Sequence, residues 1–220
     1  MSTDTTADQR YDRLLTELRR AYEAHPQAQA FAPFPDDVRR QPLEPHHCPC
    51  ADYLEADSAL VSRSYAPLQQ AIIAASPVVQ WRETYKDTDI GADFMDRFGC
   101  YSVIGAGGPF TSDTLWVWVV YMPAGLDYPR HHHPGEELYI VISGEAEFRR
   151  DGAARETLRE GDTVLHASNQ PHATQTFAHP VLCLVIWRNG FDTAPVLTPE
   201  RSLRFGKAGG RRRHLRASSR

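Results

Sequence analysis

Gly125-Leu126-Asp127-Tyr128-Pro129-Arg130-His131-His132-His133-Pro134-Gly135-Glu136-Glu137-Leu138-Tyr139-Ile140-Val141-Ile142-Ser143-Gly144 is the stretch on which the fold of this 220-residue chain turns. Successive side chains of a β-strand point to opposite faces, so His131 and His133 share one face. Pro134-Gly135 is a turn dipeptide, and after it Glu137, Tyr139 and Val141 share a face of the next strand. Two imidazoles and a carboxylate therefore converge. A fourth ligand is expected further on, where Gly161-Asp162 precedes Pro171-His172 by ten residues and His172 supplies it. Three neutral imidazoles and one carboxylate suit a single divalent first-row ion, one of Zn, Fe, Mn, Co or Ni, with positions left open for substrate or water. A His-rich run alone would read as a solvated loop or tag-like tract; the spacing and the downstream histidine argue against that.

Short β-signals surround this stretch. Tyr101 to Ile104 is a predicted strand, followed by the turn Gly105-Ala106-Gly107-Gly108-Pro109. A phosphate loop would need a following Lys-Ser or Lys-Thr, and none is there. Thr114 to Met122 is apolar almost throughout, which predicts a strand covered on both faces. Leu138 to Ile142 continues the ligand strand and Gly144 to Arg150 is predicted to return as another, with a hairpin at Asp151-Gly152. Thr163 to His166 and Ala173 to Phe177 flank the His172 turn, and Val181 to Trp187 is a last long strand. About eight strands at this spacing describe a sandwich or closed barrel.

The region before the strands is helical in pattern. From Ala7 to about His25, Tyr11, Leu14, Leu15, Leu18 and Tyr22 recur every three or four residues, the stripe of an amphipathic helix lying on the barrel or on a second subunit. Phe31 to Pro49 is Pro-rich and aperiodic, an extended connection ending in His46-His47-Cys48-Pro49-Cys50. That cluster is either a separate metal or redox site or a loop with a buried cysteine. A second helix is expected from an Asp57 or Ser58 cap to Ala75, where Ser76-Pro77 ends it. Trp81 to Tyr85 is read as a strand and Ile90 to Phe98 as a short helix or turn. The expected organisation is therefore a helical region and connection over 1–97, a barrel over 98–192, and a C-terminal extension over 193–220, basic from Lys207 onward.

Composition narrows the class. The apolar fraction of 41% supports an ordinary core, and no run of eighteen apolar residues exists. The N-terminus lacks a basic region followed by an apolar stretch, so a cytoplasmic protein is expected, with no membrane partner. A net charge of −4 gives no footprint for nucleic acid on the folded body. Four cysteines, irregularly spaced, are too few for a disulfide scaffold.

The spacing resembles the two motifs of the cupin superfamily, and implies a mainly β chain: a double-stranded β-barrel (jelly roll) with an N-terminal helical extension. The first motif matches at every defined position. The second departs from the pattern, with Ala167 for Pro, Asn169 for Gly and Thr176 for Asn, all at turn positions or behind the ligands.

Tyr128 and Tyr139 stand beside the ligands, and Tyr128-x-x-His131-x-His133-x-x-x-Glu137-x-Tyr139 with His172 resembles the cupin-type dimethylsulfoniopropionate (DMSP) lyases, most of all the DddL-like members. The likeness runs from Phe98 to Trp187. It implies cleavage of DMSP to dimethyl sulfide and acrylate, with the ion held by His131, His133, Glu137 and His172. Tyr139 is then the base, with Tyr128 as the other candidate. Trp187, Trp116 and Trp118 would line the sulfonium side, although an ordinary barrel core would hold the same tryptophans. A homodimer is expected, because barrels of this kind often pair through their sheets. Two other readings of the same ligands stay open: an Fe(II) dioxygenase of a small molecule, and a non-enzymatic ligand-binding cupin.

Overall fold

The computed structural model describes residues 6–199, so the basic run from Lys207 lies outside the described residues. The first helix, α1 (Ala7–Glu23), begins with a capping box in which Thr6 Oγ1 accepts from the Gln9 amide and the Gln9 side chain accepts from the Thr6 amide. Tyr11, Leu14, Leu18 and Tyr22 are buried, as the periodicity predicts. Four shorter helices follow: α2 (Pro26–Phe31), α3 (Pro49–Ala56), α4 (Ala66–Ala75) and α5 (Ala92–Arg97), with a two-residue strand, β1 (Arg39–Arg40), after α2.

The expected helix from Asp57 to Ala75 is a loop followed by one helix, α4. Pro67 and Pro49 each stand in the first turn of a helix, where a missing N–H and a fixed φ are tolerated. Asp57 follows the end of α3, and Val61, in the loop after it, is 68% exposed. Trp81 makes one isolated bridge, to Tyr101, in place of a Trp81–Tyr85 strand.

Ten further strands complete the described chain: β2 (Gly99–Ile104), β3 (Phe110–Thr111), β4 (Trp116–Met122), β5 (Asp127–His132), β6 (Glu136–Arg150), β7 (Glu156–Arg159), β8 (Thr163–His166), β9 (His172–Gln175), β10 (Val181–Arg188) and β11 (Val196–Leu197). Their order is β1-β3-β2-β4-β10-β6-β9-β5-β11, with β7 and β8 also paired to β6. β11, which no pattern after Phe191 signalled, closes onto β5.

β6 holds the barrel together. Gly144 was expected to separate two strands, yet the strand runs through it. At φ +77° it takes a backbone conformation that favours glycine, and a Cβ there would lie 1.8 Å from the Pro180 carbonyl oxygen. The bend lets the first half of β6 pair with β10 and β8, while the second half pairs with β7 and β9.

The apolar runs of β4, β6 and β10 are explained by burial on both faces. Val117, Val119, Leu138, Ile140, Leu184 and Ile186 pack in the cluster that includes the buried faces of α1 and α4. Trp118, Val120, Tyr139, Val141, Val185 and Trp187 pack on the opposite face, inside the barrel. Each such side chain contributes about 1.5–3 kcal/mol on burial, so the helices secure the sheet and leave its inner face for the site. Tyr121 belongs to the helix side, where its hydroxyl donates to Asp57.

Candidate metal centre

The inner face of the barrel gathers the expected ligands. His131 on β5 stands opposite His172 on β9, and His133 follows the end of β5. Glu137 lies near the start of β6. All four side chains are buried. Asn169 takes φ +56° at the position where the second motif usually has glycine, a conformation asparagine tolerates, and its amide donates to the His133 carbonyl. Thr176 Oγ1 accepts from the Leu126 amide and donates to the Pro123 carbonyl, so the unusual second motif still ties its loop to the first.

Tautomers follow from the backbone. The Nδ1 of His131, His133 and His172 lies 2.9, 3.0 and 2.8 Å from the carbonyls of Pro129, Gly135 and Gln170. A carbonyl only accepts, so each Nδ1 carries the proton and each Nε2 keeps its lone pair. Ligand atoms of His131, His133 and His172 lie within 4.8 Å of one another, as do those of Glu137, His166 and His172. Glu137 Oε2 is 3.4 Å from His133 Nε2 and 3.2 Å from His172 Nε2. Among the described residues, the buried Nε2 atoms of His133 and His172 have no hydrogen-bond partner. Buried lone pairs aimed together beside a carboxylate fit a divalent cation, and such a cation would satisfy them.

The electrostatics of the protein groups agree. Burial and the neighbouring His172 hold His131 well below its usual pKa, which keeps it neutral. Burial would raise Glu137, but the surrounding imidazoles of His133, His166 and His172 together outweigh it and hold the carboxyl well below its usual range. Burial would lower His133, but the Glu137 carboxylate and the Gly135 carbonyl together outweigh it and raise the group. A cation would take the place of that proton. Burial, with the Glu137 charge contributing, pushes the Tyr139 hydroxyl well above 10.

Tyr128 and Tyr139 both border a cavity of about 340 Å³, which the ligands share with Trp116, Trp118 and Trp187. The Tyr128 ring stacks on His131 at 3.9 Å, and its hydroxyl lies 2.7 Å from that of Tyr85. Tyr139 has no hydrogen-bond partner for its hydroxyl among the described residues. Trp187 donates to Glu137 Oε1 at 2.7 Å and stacks on His133 at 4.2 Å. Arg82 lies 4.6 Å over the Trp118 ring, and the Trp118 N–H is buried without a partner among the described residues.

Tyr85, Arg82 and His166 were not legible as site residues. The first two come from the irregular connection before β2. His166 had a signal: Val164 and His166 are buried while Leu165 between them is 44% exposed, so the strand's alternation turns this histidine inward. The cluster His46-His47-Cys48-Pro49-Cys50 does not join the metal-competent groups among the described residues. His46 faces Glu83, His47 faces Asp52, and Cys48 and Cys50 are free and buried. No helix among the described residues is long and apolar enough to cross a membrane.

A jelly-roll barrel with three inward imidazoles and a carboxylate on its inner face is a cupin with a site competent for a metal ion. The family model for dimethylsulfoniopropionate lyase matches residues 23–183. The dimethylsulfoniopropionate lyase DddQ of Ruegeria pomeroyi is 47% identical over 194 residues, 88% of this chain and 96% of its own. The crystal structure of DddQ from that organism superposes with a TM-score of 0.86 at 48% identity, covering 87% of this chain and 97% of that one. A chain from the crystal structures of the DMSP lyases RdDddP and RnDddQII gives 0.84 at 37% identity, over 88% of this chain and 100% of its own. The chain belongs to the dimethylsulfoniopropionate lyase family. Within that class the relatives are of the DddQ type, in place of the DddL-like subtype expected from the motif.

Proposed function

We propose that this protein cleaves dimethylsulfoniopropionate to dimethyl sulfide and acrylate by β-elimination. Family membership supports the substrate; the carrying observation is the buried His/Glu cluster with an unpartnered tyrosine hydroxyl beside it in one aromatic-walled cavity. His131, His133, Glu137 and His172 would hold one divalent first-row ion, and the donor chemistry admits Zn, Fe, Mn, Co or Ni. When bound, the ion supplies Lewis-acid stabilisation of charge at the substrate carboxylate and favours the phenolate of a nearby tyrosine.

Tyr139 is the proposed base. It takes the proton from the carbon next to the carboxylate; the C–H electron pair becomes the C=C bond, and the C–S pair leaves with sulfur as neutral dimethyl sulfide. Tyr128, whose hydroxyl is engaged by Tyr85, orients substrate. Trp116, Trp118 and Trp187 offer ring faces and edges to the sulfonium side, where a cation gains about 0.5–2 kcal/mol per ring face. The Trp118 N–H is a free donor at the same wall. A homodimer and a cytoplasmic setting complete the proposal.

The test is headspace gas chromatography of metal-loaded protein with DMSP, beside a chelator-treated sample. Dimethyl sulfide that disappears with the chelator is the expected result. Its absence with each of several divalent ions would remove the proposal and leave the barrel and its cluster standing.

A further inference from the structure

Glu137 occupies a special place in the register of the sheet. On β6 it stands directly opposite Trp187 of β10 on one side and His166 of β8 on the other. Each neighbour donates to a different carboxylate oxygen: Trp187 Nε1 to Oε1 at 2.7 Å, and His166 Nδ1 to Oε2 at 2.8 Å. Oε2 is also the oxygen that faces the Nε2 atoms of His133 and His172. With one lone pair of Oε2 taken by His166, the other is directed at the imidazoles. The His166 ring, fully buried, also stacks on His172 at 3.9 Å with 17° between planes.

His166 is turned the opposite way from the three expected ligands. Their Nδ1 atoms bond to backbone carbonyls and leave Nε2 free to point inward. Its Nδ1 bonds to the carboxylate, so direct ligation through that atom would break the bond that holds Glu137.

We infer that His166 is a positioning residue of the metal centre, which fixes Glu137 by hydrogen bonding and braces His172 by stacking. The inference rests on the metal-site reading given under the proposed function. It assigns to β8 a role that the ligand motif does not contain. Groups that orient a ligand in this way are worth about 10- to 100-fold in metal affinity.

The experiment compares wild type, His166→Leu and His166→Asn as full chains, by Zn²⁺ competition against a chromophoric chelator and by the visible absorption of bound Co²⁺. The asparagine amide can reach the place of Nδ1 and restore the donor. Expected are a loss of about 10- to 100-fold in Zn²⁺ affinity with a changed Co²⁺ spectrum for His166→Leu, and recovery of both in His166→Asn. If the leucine variant does not fold, His166→Gln, with its amide at the Nε2 position, takes its place and should bind as weakly. Leucine or glutamine variants that bind like wild type would overturn the inference. So would an asparagine variant as weak as leucine with a nitrogen donor lost from the Co²⁺ spectrum, which would make His166 a ligand. Failure of wild type to bind either ion would instead remove the metal-site reading itself.

Discussion

Replacing Tyr139 by phenylalanine should leave stability nearly unchanged while it removes most of the turnover. The Tyr139 side chain is 3% exposed, and its hydroxyl has no hydrogen-bond partner among the described residues. That hydroxyl is not among the buried unpaired polar atoms and borders the cavity, so phenylalanine, which keeps the ring that packs on Phe148, should change stability by no more than about 0.5 kcal/mol. A change of about 1 kcal/mol corresponds to roughly 2–4 °C in Tm for a chain of this size, so the Tyr139→Phe melt should move by less than that. Tyr128→Phe makes the contrast. It breaks the 2.7 Å bond to Tyr85 and leaves the Tyr85 hydroxyl unpaired, so it should lose about 1 kcal/mol or more and its Tm should fall by roughly 2–4 °C or more. Activity should move the other way: loss of a general base costs about a hundred- to ten-thousand-fold, and Tyr139→Phe should show it with its metal content unchanged. Tyr128→Phe should retain more turnover than Tyr139→Phe. The assays are thermal melts of chelator-treated protein and dimethyl sulfide release by metal-loaded protein. A Tyr139→Phe protein that melts as far below wild type as Tyr128→Phe, or turns over within tenfold of wild type, would refute the reasoning.

Two further outcomes follow from the fold and its charges. Gly144→Ala should destabilise by at least about 2 kcal/mol, from the left-handed backbone and the clash with the Pro180 carbonyl, and a denaturant titration measures it. Acid should destabilise chelator-treated protein between about pH 6.5 and 4. His131 is held below its usual pKa, and burial with the neighbouring His172 pushes His166 down to about 4, so the unfolded chain binds these protons first and stability falls with pH through that window. His133, raised by Glu137, works in the opposite sense: its contribution is full at low pH and is lost as pH rises through its folded value. Two depressed histidines against one raised set the direction, and a Tm that rises on acidification would contradict it.

Much of the site was legible because its spacing is local. A strand's alternation and one turn bring His131, His133, Glu137 and Tyr139 toward a common interior, and the later Pro171-His172 supplies the fourth group. The helix of Ala7–Glu23 was legible for the same reason, since its apolar stripe needs only the helical period. The start of α4 was misplaced because apolar spacing does not say which proline opens a helix, and Gly144 was misread because a glycine in the left-handed region serves a turn or a bend within a strand equally well.

By itself, then, the sequence determined the barrel and the helical layer before it, which depend on periodicity within a few residues, and the expected ligand set, which depends on the spacing of its motifs. Only the tertiary structure decided which groups hold those ligands. His166, Trp187 and Tyr85 reach Glu137 and Tyr128 from β8, β10 and the connection before β2. Their positions are set by registers between strands far apart in the chain, and a shift of one residue would turn each strand's side chains to the other face.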